Sequence, residues 1–87
     1  VYDPGEKVIN QGDTADRAFL ILRGEVEVFE QYKDRQFSLQ VLGKMGFFGE
    51  LALLAEFEWF FNVQAITEVE LVSIDRDSFQ KVITKFP

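Results

Sequence analysis

Gly46-Phe47-Phe48-Gly49-Glu50-Leu51-Ala52-Leu53-Leu54-Ala55-Glu56-Phe57-Glu58-Trp59-Phe60-Phe61-Asn62-Val63 is the stretch on which the reading of this chain turns. Gly46 and Gly49 bracket two phenylalanines, so the backbone can turn tightly where residues with a Cβ would clash. Glu50 to Leu54 follows, a run of good helix formers long enough for about one to two turns. A glycine that opens a short helix leaves the first N–H groups, here those of Leu51 and Ala52, without intrahelical partners and aimed outward. Such a corner suits an anion. Taken alone, the tetrapeptide Gly49-Glu50-Leu51-Ala52 is weakly specific, because glycine before a short helix is common in β-rich domains.

Upstream of that corner, Asp3-Pro4-Gly5-Glu6 reads as a turn and Lys7 to Asn10 as a short strand, followed by a polar loop over Gly12 to Asp16. Ala18-Phe19-Leu20-Ile21-Leu22 is a continuous apolar run, and Arg23-Gly24 leads into Glu25-Val26-Glu27-Val28 with period-two alternation. The pair predicts a hairpin with its valines inward. Lys33-Asp34-Arg35 makes the next turn, and Phe37, Leu39 and Val41 alternate with Ser38 and Gln40 as a half-buried strand. Gly43-Lys44-Met45-Gly46 ends it. Downstream, two strands are expected over roughly Phe60 to Ile66 and Val69 to Ile74. Asp75 then fits the N-cap of a final helix, because Phe79, Val82, Ile83 and Phe86 fall on one helical face. Many short strands with a turn signal every eight to twelve residues or so favour a sandwich or barrel.

Several of these landmarks recur together in one known family. Phe48-Gly49-Glu50-Leu51-Ala52-Leu53, with Leu42-Gly43 and Gly46 before it and Ala65 after it, resembles the phosphate-binding cassette of cyclic nucleotide-binding domains. Pro4-Gly5-Glu6, Gln11-Gly12-Asp13, Phe19 to Leu22 with Gly24, Val26 and Val28, and Asp75-Arg76-Asp77-Ser78-Phe79 match further family landmarks in order, so the likeness spans nearly the whole chain. It implies a mainly β fold over residues 1–87, a jelly-roll-like barrel (double-stranded β-helix) with a short cassette helix and the start of a C-terminal helix. It also implies a regulatory sensor domain whose small-molecule ligand, cyclic AMP or cyclic GMP, is coupled to an effector domain in the same chain or in a partner subunit. A cytoplasmic setting, or the cytoplasmic portion of a membrane protein, goes with that family. No cofactor is implied, and oligomeric state stays open, self-association included.

Carried over residue by residue, the resemblance gives a ligand set of Phe48, Gly49, Glu50, Leu51, Ala52, Trp59, Phe60 and Asn62. In the family the cassette glutamate accepts a hydrogen bond from the ribose 2′-hydroxyl, and Glu50 holds that position with a charged acceptor; otherwise it is a solvated helix-start acid. The N–H groups of Leu51 and Ala52 would face the cyclic phosphate. One departure stands out. Where the family has Pro-Arg, the arginine pairing with the phosphate, a gap-free count from Gly49 places Glu58 and Trp59, and Asn62 replaces a threonine. No arginine lies between Arg35 and Arg76, and Lys44 is the only cation there. Weak or altered ligand binding is therefore expected, and the alternative is a non-binding copy kept as an interaction or dimerisation module. The aromatic run Phe57 to Phe61 then lines a pocket, forms an interface, or is ordinary core, since Phe57, Trp59, Phe61, Val63 and Ala65 share one face of an extended strand.

Composition sets independent limits. The 87 residues make one domain at most, and 47% hydrophobic and 15% aromatic residues, ten of them Phe, supply a packed core. A net charge of −6 argues against a direct nucleic-acid surface. Without cysteine there is no thiol chemistry, and without histidine neither a His-centred triad nor a His-rich metal site can be built. The acids alternate with valines on strand exteriors (Glu25, Glu27, Glu68, Glu70) or sit in turns (Asp13, Asp16, Asp34), so no catalytic role is expected. No apolar run approaches the ~20 residues of a membrane span, so no membrane contact is expected from this segment. A start at Val1 and a stop inside a nascent helix read as a domain cut from a longer protein.

Overall fold

The computed structural model describes residues 1–85; the expected position of Phe86 on the helical face lies outside the described residues. Nine strands, a short 3-10 helix and one α-helix follow in order: β1 Lys7–Ile9, β2 Thr14–Ala15, β3 Arg17–Arg23, β4 Val26–Tyr32, β5 Arg35–Leu42, β6 Phe47–Phe48, the 3-10 helix Glu50–Leu53, β7 Phe57–Glu58, β8 Asn62–Ala65, β9 Glu70–Asp75 and α1 Arg76–Lys85. One sheet runs β1-β8-β4-β5 and another β6-β3-β9, with β2 and β7 pairing separately; every pairing is antiparallel. The inner residues of both larger sheets, Ile9, Val26, Val28, Val63 and Ala65 from the first and Phe19, Ile21 and Phe48 from the second, join a single core. This is the mainly β, jelly-roll-like architecture that the resemblance implies, and it agrees with the sandwich or barrel favoured by the pattern of strands.

Two local expectations are corrected. β3 and β4 do not form a hairpin: β3 lies between β6 and β9, β4 lies between β5 and β8, and the chain passes from one sheet to the other at Gly24. Gly24 has a φ of +94°, and a Cβ there would run into the carbonyl oxygen of Glu68, so the crossing is sterically reserved for glycine. The valines nevertheless point inward, because Val26 and Val28 are both buried. The second correction concerns β5. Phe37, Leu39 and Val41 alternate as a strand should but are 48%, 53% and 51% exposed. β5 is the edge of its sheet, and among the described residues no second layer covers that row of apolar side chains.

The other boundaries follow local chemistry. Lys33-Asp34 closes the β4–β5 hairpin as a two-residue turn, with Lys33 at a φ of 55°. Asp75 caps α1, its Oδ1 accepting the Ser78 N–H at 2.7 Å. Phe79 of the expected helical face is half-buried, whereas Val82 and Ile83 are largely exposed.

Candidate functional site

The turn into the 3-10 helix begins at Gly49, whose φ of 81° and ψ of 15° place it in the left-handed region. Glycine is needed there for space as well as for conformation. An added Cβ would sit 2.9 Å from Cη2 of Trp59 and 3.2 Å from the carbonyl oxygen of Arg17. Trp59 therefore packs directly over the backbone that opens the helix. It is only 6% exposed and is fixed on both sides of its own peptide, its N–H donating to the Asp13 carbonyl at 2.8 Å and its carbonyl accepting from the Gly12 N–H at 2.7 Å.

The helix itself is tighter than the sequence suggests. Over Glu50–Leu53 it takes 3-10 geometry, so the Ala52 N–H donates to the Gly49 carbonyl at 3.0 Å. Of the two amides expected to face outward, Ala52's is thus engaged within the turn. Among the described residues no carbonyl accepts from the Leu51 N–H.

In front of this turn lies a hollow of about 210 Å³ lined by Gly49, Glu50, Leu51, Phe57, Trp59, Phe60 and Phe61. Five of the eight residues expected at a ligand site, Gly49, Glu50, Leu51, Trp59 and Phe60, meet there. The remaining three do not line it. Phe48 is buried and stacks on Phe19 with ring centroids 5.1 Å apart; Ala52 is buried in the core. Asn62 is turned toward the Gln11 loop, its Oδ1 accepting the Gln11 N–H at 2.9 Å and its Nδ2 donating to Gln11 Oε1 at 3.2 Å. Phe57 and Phe61 complete the lining. The signal for them was present in the sequence, because they share an extended-strand face with Trp59.

The aromatic walls meet at steep angles. Phe57 and Trp59 are T-shaped at 5.4 Å, Trp59 and Phe61 tilted at 5.5 Å, and Phe60 and Phe61 T-shaped at 5.0 Å. Phe60, 60% exposed, stands in contact with solvent. Glu58 does not line the hollow; it lines an adjoining groove together with Leu51, Leu54, Ala55, Phe57 and Phe60. The lining of the hollow contains one acid, Glu50, and neither Lys nor Arg. Lys44 is exposed and is not part of it.

The sequence places Arg76 only within the family landmark Asp75 to Phe79; in the fold it reaches the back of the same turn. Its Nε donates to the Ala52 carbonyl at 2.7 Å, and one terminal nitrogen donates to the carbonyls of Ala15 at 2.6 Å and Ala55 at 3.2 Å. Gln80 Nε2 adds a bond to the Leu53 carbonyl at 3.1 Å. The first turns of α1 are therefore hydrogen-bonded to the last carbonyls of the 3-10 helix, the end where unpaired acceptors collect.

The comparisons assign a family to this β-roll with its glycine-led helical turn and small hollow. Residues 1–86 match the family described as cyclic nucleotide-binding domain. The chain belongs to that family. It is 39% identical over 85 residues to the cGMP-dependent protein kinase egl-4 of Caenorhabditis elegans, covering 94% of this chain and 11% of the kinase. It is 36% identical over 83 residues to the cAMP-dependent protein kinase type II regulatory subunit of Drosophila melanogaster, covering 94% of this chain and 22% of the subunit. The chain thus corresponds to a small part of the length of both relatives. Among solved structures it superposes on the catabolite activator protein of Thermus thermophilus with a TM-score of 0.90 at 29% identity, covering 99% of this chain and 41% of that one.

Proposed function

We propose that this domain is the sensor part of a regulatory protein, in which occupancy of the hollow at the 3-10 turn is passed to an effector in the same chain or in a partner subunit, and that its affinity for cyclic nucleotides is weak. Gly49, Glu50, Leu51, Trp59 and Phe60 serve as the ligand contacts, and Phe48, Ala52 and Asn62 support them from behind. One observation carries the reading: the hollow has the glycine-led turn and the acid of the family's cassette, but its lining lacks any cation to neutralise a phosphate. A hydrogen bond to a charged group is worth roughly 1.5–3 kcal/mol net, so loss of a bidentate arginine removes about one to several powers of ten in affinity. Desolvating a cyclic phosphate beside Glu50 weakens binding further.

A non-binding interaction module is the competing function, favoured by the burial of Trp59 and by the exposed Leu51, Leu54 and Phe60 beside it. Titration with cyclic AMP and cyclic GMP, followed through the fluorescence of the single tryptophan, separates the two. The sensor reading expects a saturable change with a dissociation constant of about a millimolar or weaker. Trp59→Arg, which removes that fluorophore and is therefore titrated by calorimetry alongside the wild type, should tighten binding by about tenfold or more. A folded wild-type chain and a folded Trp59→Arg variant that both stay silent at millimolar nucleotide would favour the interaction module, and micromolar binding by the wild type would overturn the claim of weak affinity.

A further inference from the structure

Three features of the hollow bear on which chemical class it accepts. The first is charge. Its one ionisable lining residue is Glu50, exposed and acidic, in a chain of net charge −6, and no lining residue is cationic. An anion entering this space exchanges water for a carboxylate, whereas a cation gains a counter-charge.

The second is the nature of the walls. Four of the seven lining residues are aromatic. The face of an aromatic ring is the negative end of its quadrupole and attracts a cation, tryptophan most strongly. The third is shape. Successive rings cross at 83°, 51° and 87°, so they bound a corner instead of stacking as parallel plates. A compact, rounded group fills such a corner. Trp59 is buried and its ring packs against Gly49, so this wall of the corner stands before any guest arrives.

Resting on the reading above that the hollow is the ligand site, we propose that it accepts a compact organic ammonium group, of the quaternary amine type, seated against Phe57, Trp59, Phe60 and Phe61 with Glu50 as its counter-charge. Its weakly hydrated, methyl-covered cation loses little on leaving water and meets both ring faces and a carboxylate. Inorganic cations, strongly hydrated, gain much less from the same walls.

The test uses the whole 87-residue chain and the fluorescence of Trp59, its one tryptophan. Choline chloride is titrated against sodium chloride of equal ionic strength and against 3,3-dimethylbutanol, which has the same shape as choline without its charge. Choline should give a saturable change and bind about tenfold more tightly than the neutral alcohol, while sodium chloride gives none. Glu50→Gln, a change at an exposed side chain that leaves the core untouched, should weaken choline several-fold and leave the alcohol unaffected. Equal binding of alcohol and choline, or no saturable response to choline, overturns the proposal. A parallel titration with cyclic AMP keeps the two levels apart. If cyclic AMP binds and choline does not, the ammonium assignment fails and the site stands; if neither binds the folded chain, both fail.

Discussion

Gly49 and Trp59 form one steric unit, and at the residue scale that unit decides both the turn and the hollow. Gly49→Ala places a Cβ in the left-handed region, at about 1–2 kcal/mol, and against Trp59 Cη2 and the Arg17 carbonyl, at about 1–3 kcal/mol more. Urea melts should show a loss of roughly 2–5 kcal/mol from the sum of those effects. Repeating the substitution in a Trp59→Phe background removes the Cη2 contact, so part of the cost should vanish; strictly additive losses would mean that the two residues do not press on each other. This pairing was only half legible. Gly49, Glu50 and Leu51 could be placed from their motif, and Trp59 from a gap-free count. Asn62 could not, because its partner Gln11 lies fifty-one positions away and nothing local in the sequence ties an amide to it.

The part of the fold least legible in the sequence is the junction between the 3-10 helix and α1. Asp75 and the apolar spacing announced the helix, but only the fold shows Arg76 turning back to three carbonyls, those of Ala52, Ala15 and Ala55. Arg76→Lys replaces a planar fork by a single ammonium that cannot serve all three. The variant should lose about 1–3 kcal/mol, and hydrogen exchange should quicken in 50–55 and in α1 together while β4 and β8 stay protected. Removing the exposed Glu56, 3.5 Å from the same guanidinium, should change stability far less. Asp75 adds a pH dependence. Its carboxyl is held below the usual aspartate range, first by the Ser78 backbone N–H, then by the Ser78 hydroxyl, with Arg17 and Lys81 assisting and burial opposing. A depressed folded-state value means that the contribution is complete above the ordinary aspartate range and disappears as pH falls through the lowered value. Helicity and urea midpoints of wild type and Asp75→Ala should therefore differ at neutral pH and converge in strong acid; a constant difference across that window would assign the cap no ionic component.

Across the molecule as a whole, alternation told which residues of a strand share a face but not whether another layer lies over that face. The valines of β4 and the phenylalanine, leucine and valine of β5 carry the same period-two signature, yet Val26 and Val28 enter the core and Phe37, Leu39 and Val41 stay half in water. Register makes the difference. Val41 pairs with Glu27 and Phe37 with Glu30, so they share the outer face of those acids, whereas Val26 and Val28 point inward to the second sheet. β5 has a neighbour on one side only, and its ladder with β4 skips from the Gln40–Val28 pair to the Ser38–Phe29 pair, leaving Leu39 without a partner residue. Such irregularities bend an edge away from regular pairing. Ile21, equally apolar, sits in β3 between two strands and is fully buried. The same operation at the two positions should then give unequal results. Ile21→Ala removes methyl groups from a packed interior and should cost about 2–5 kcal/mol, whereas Leu39→Ser should remain within about 0.5 kcal/mol of wild type. Urea midpoints of the two variants at one pH measure both. A large loss at Leu39 would show that something in solution covers the outer face of β5, and a small loss at Ile21 would show that the two sheets do not share the core that joins Ile21 to Val63.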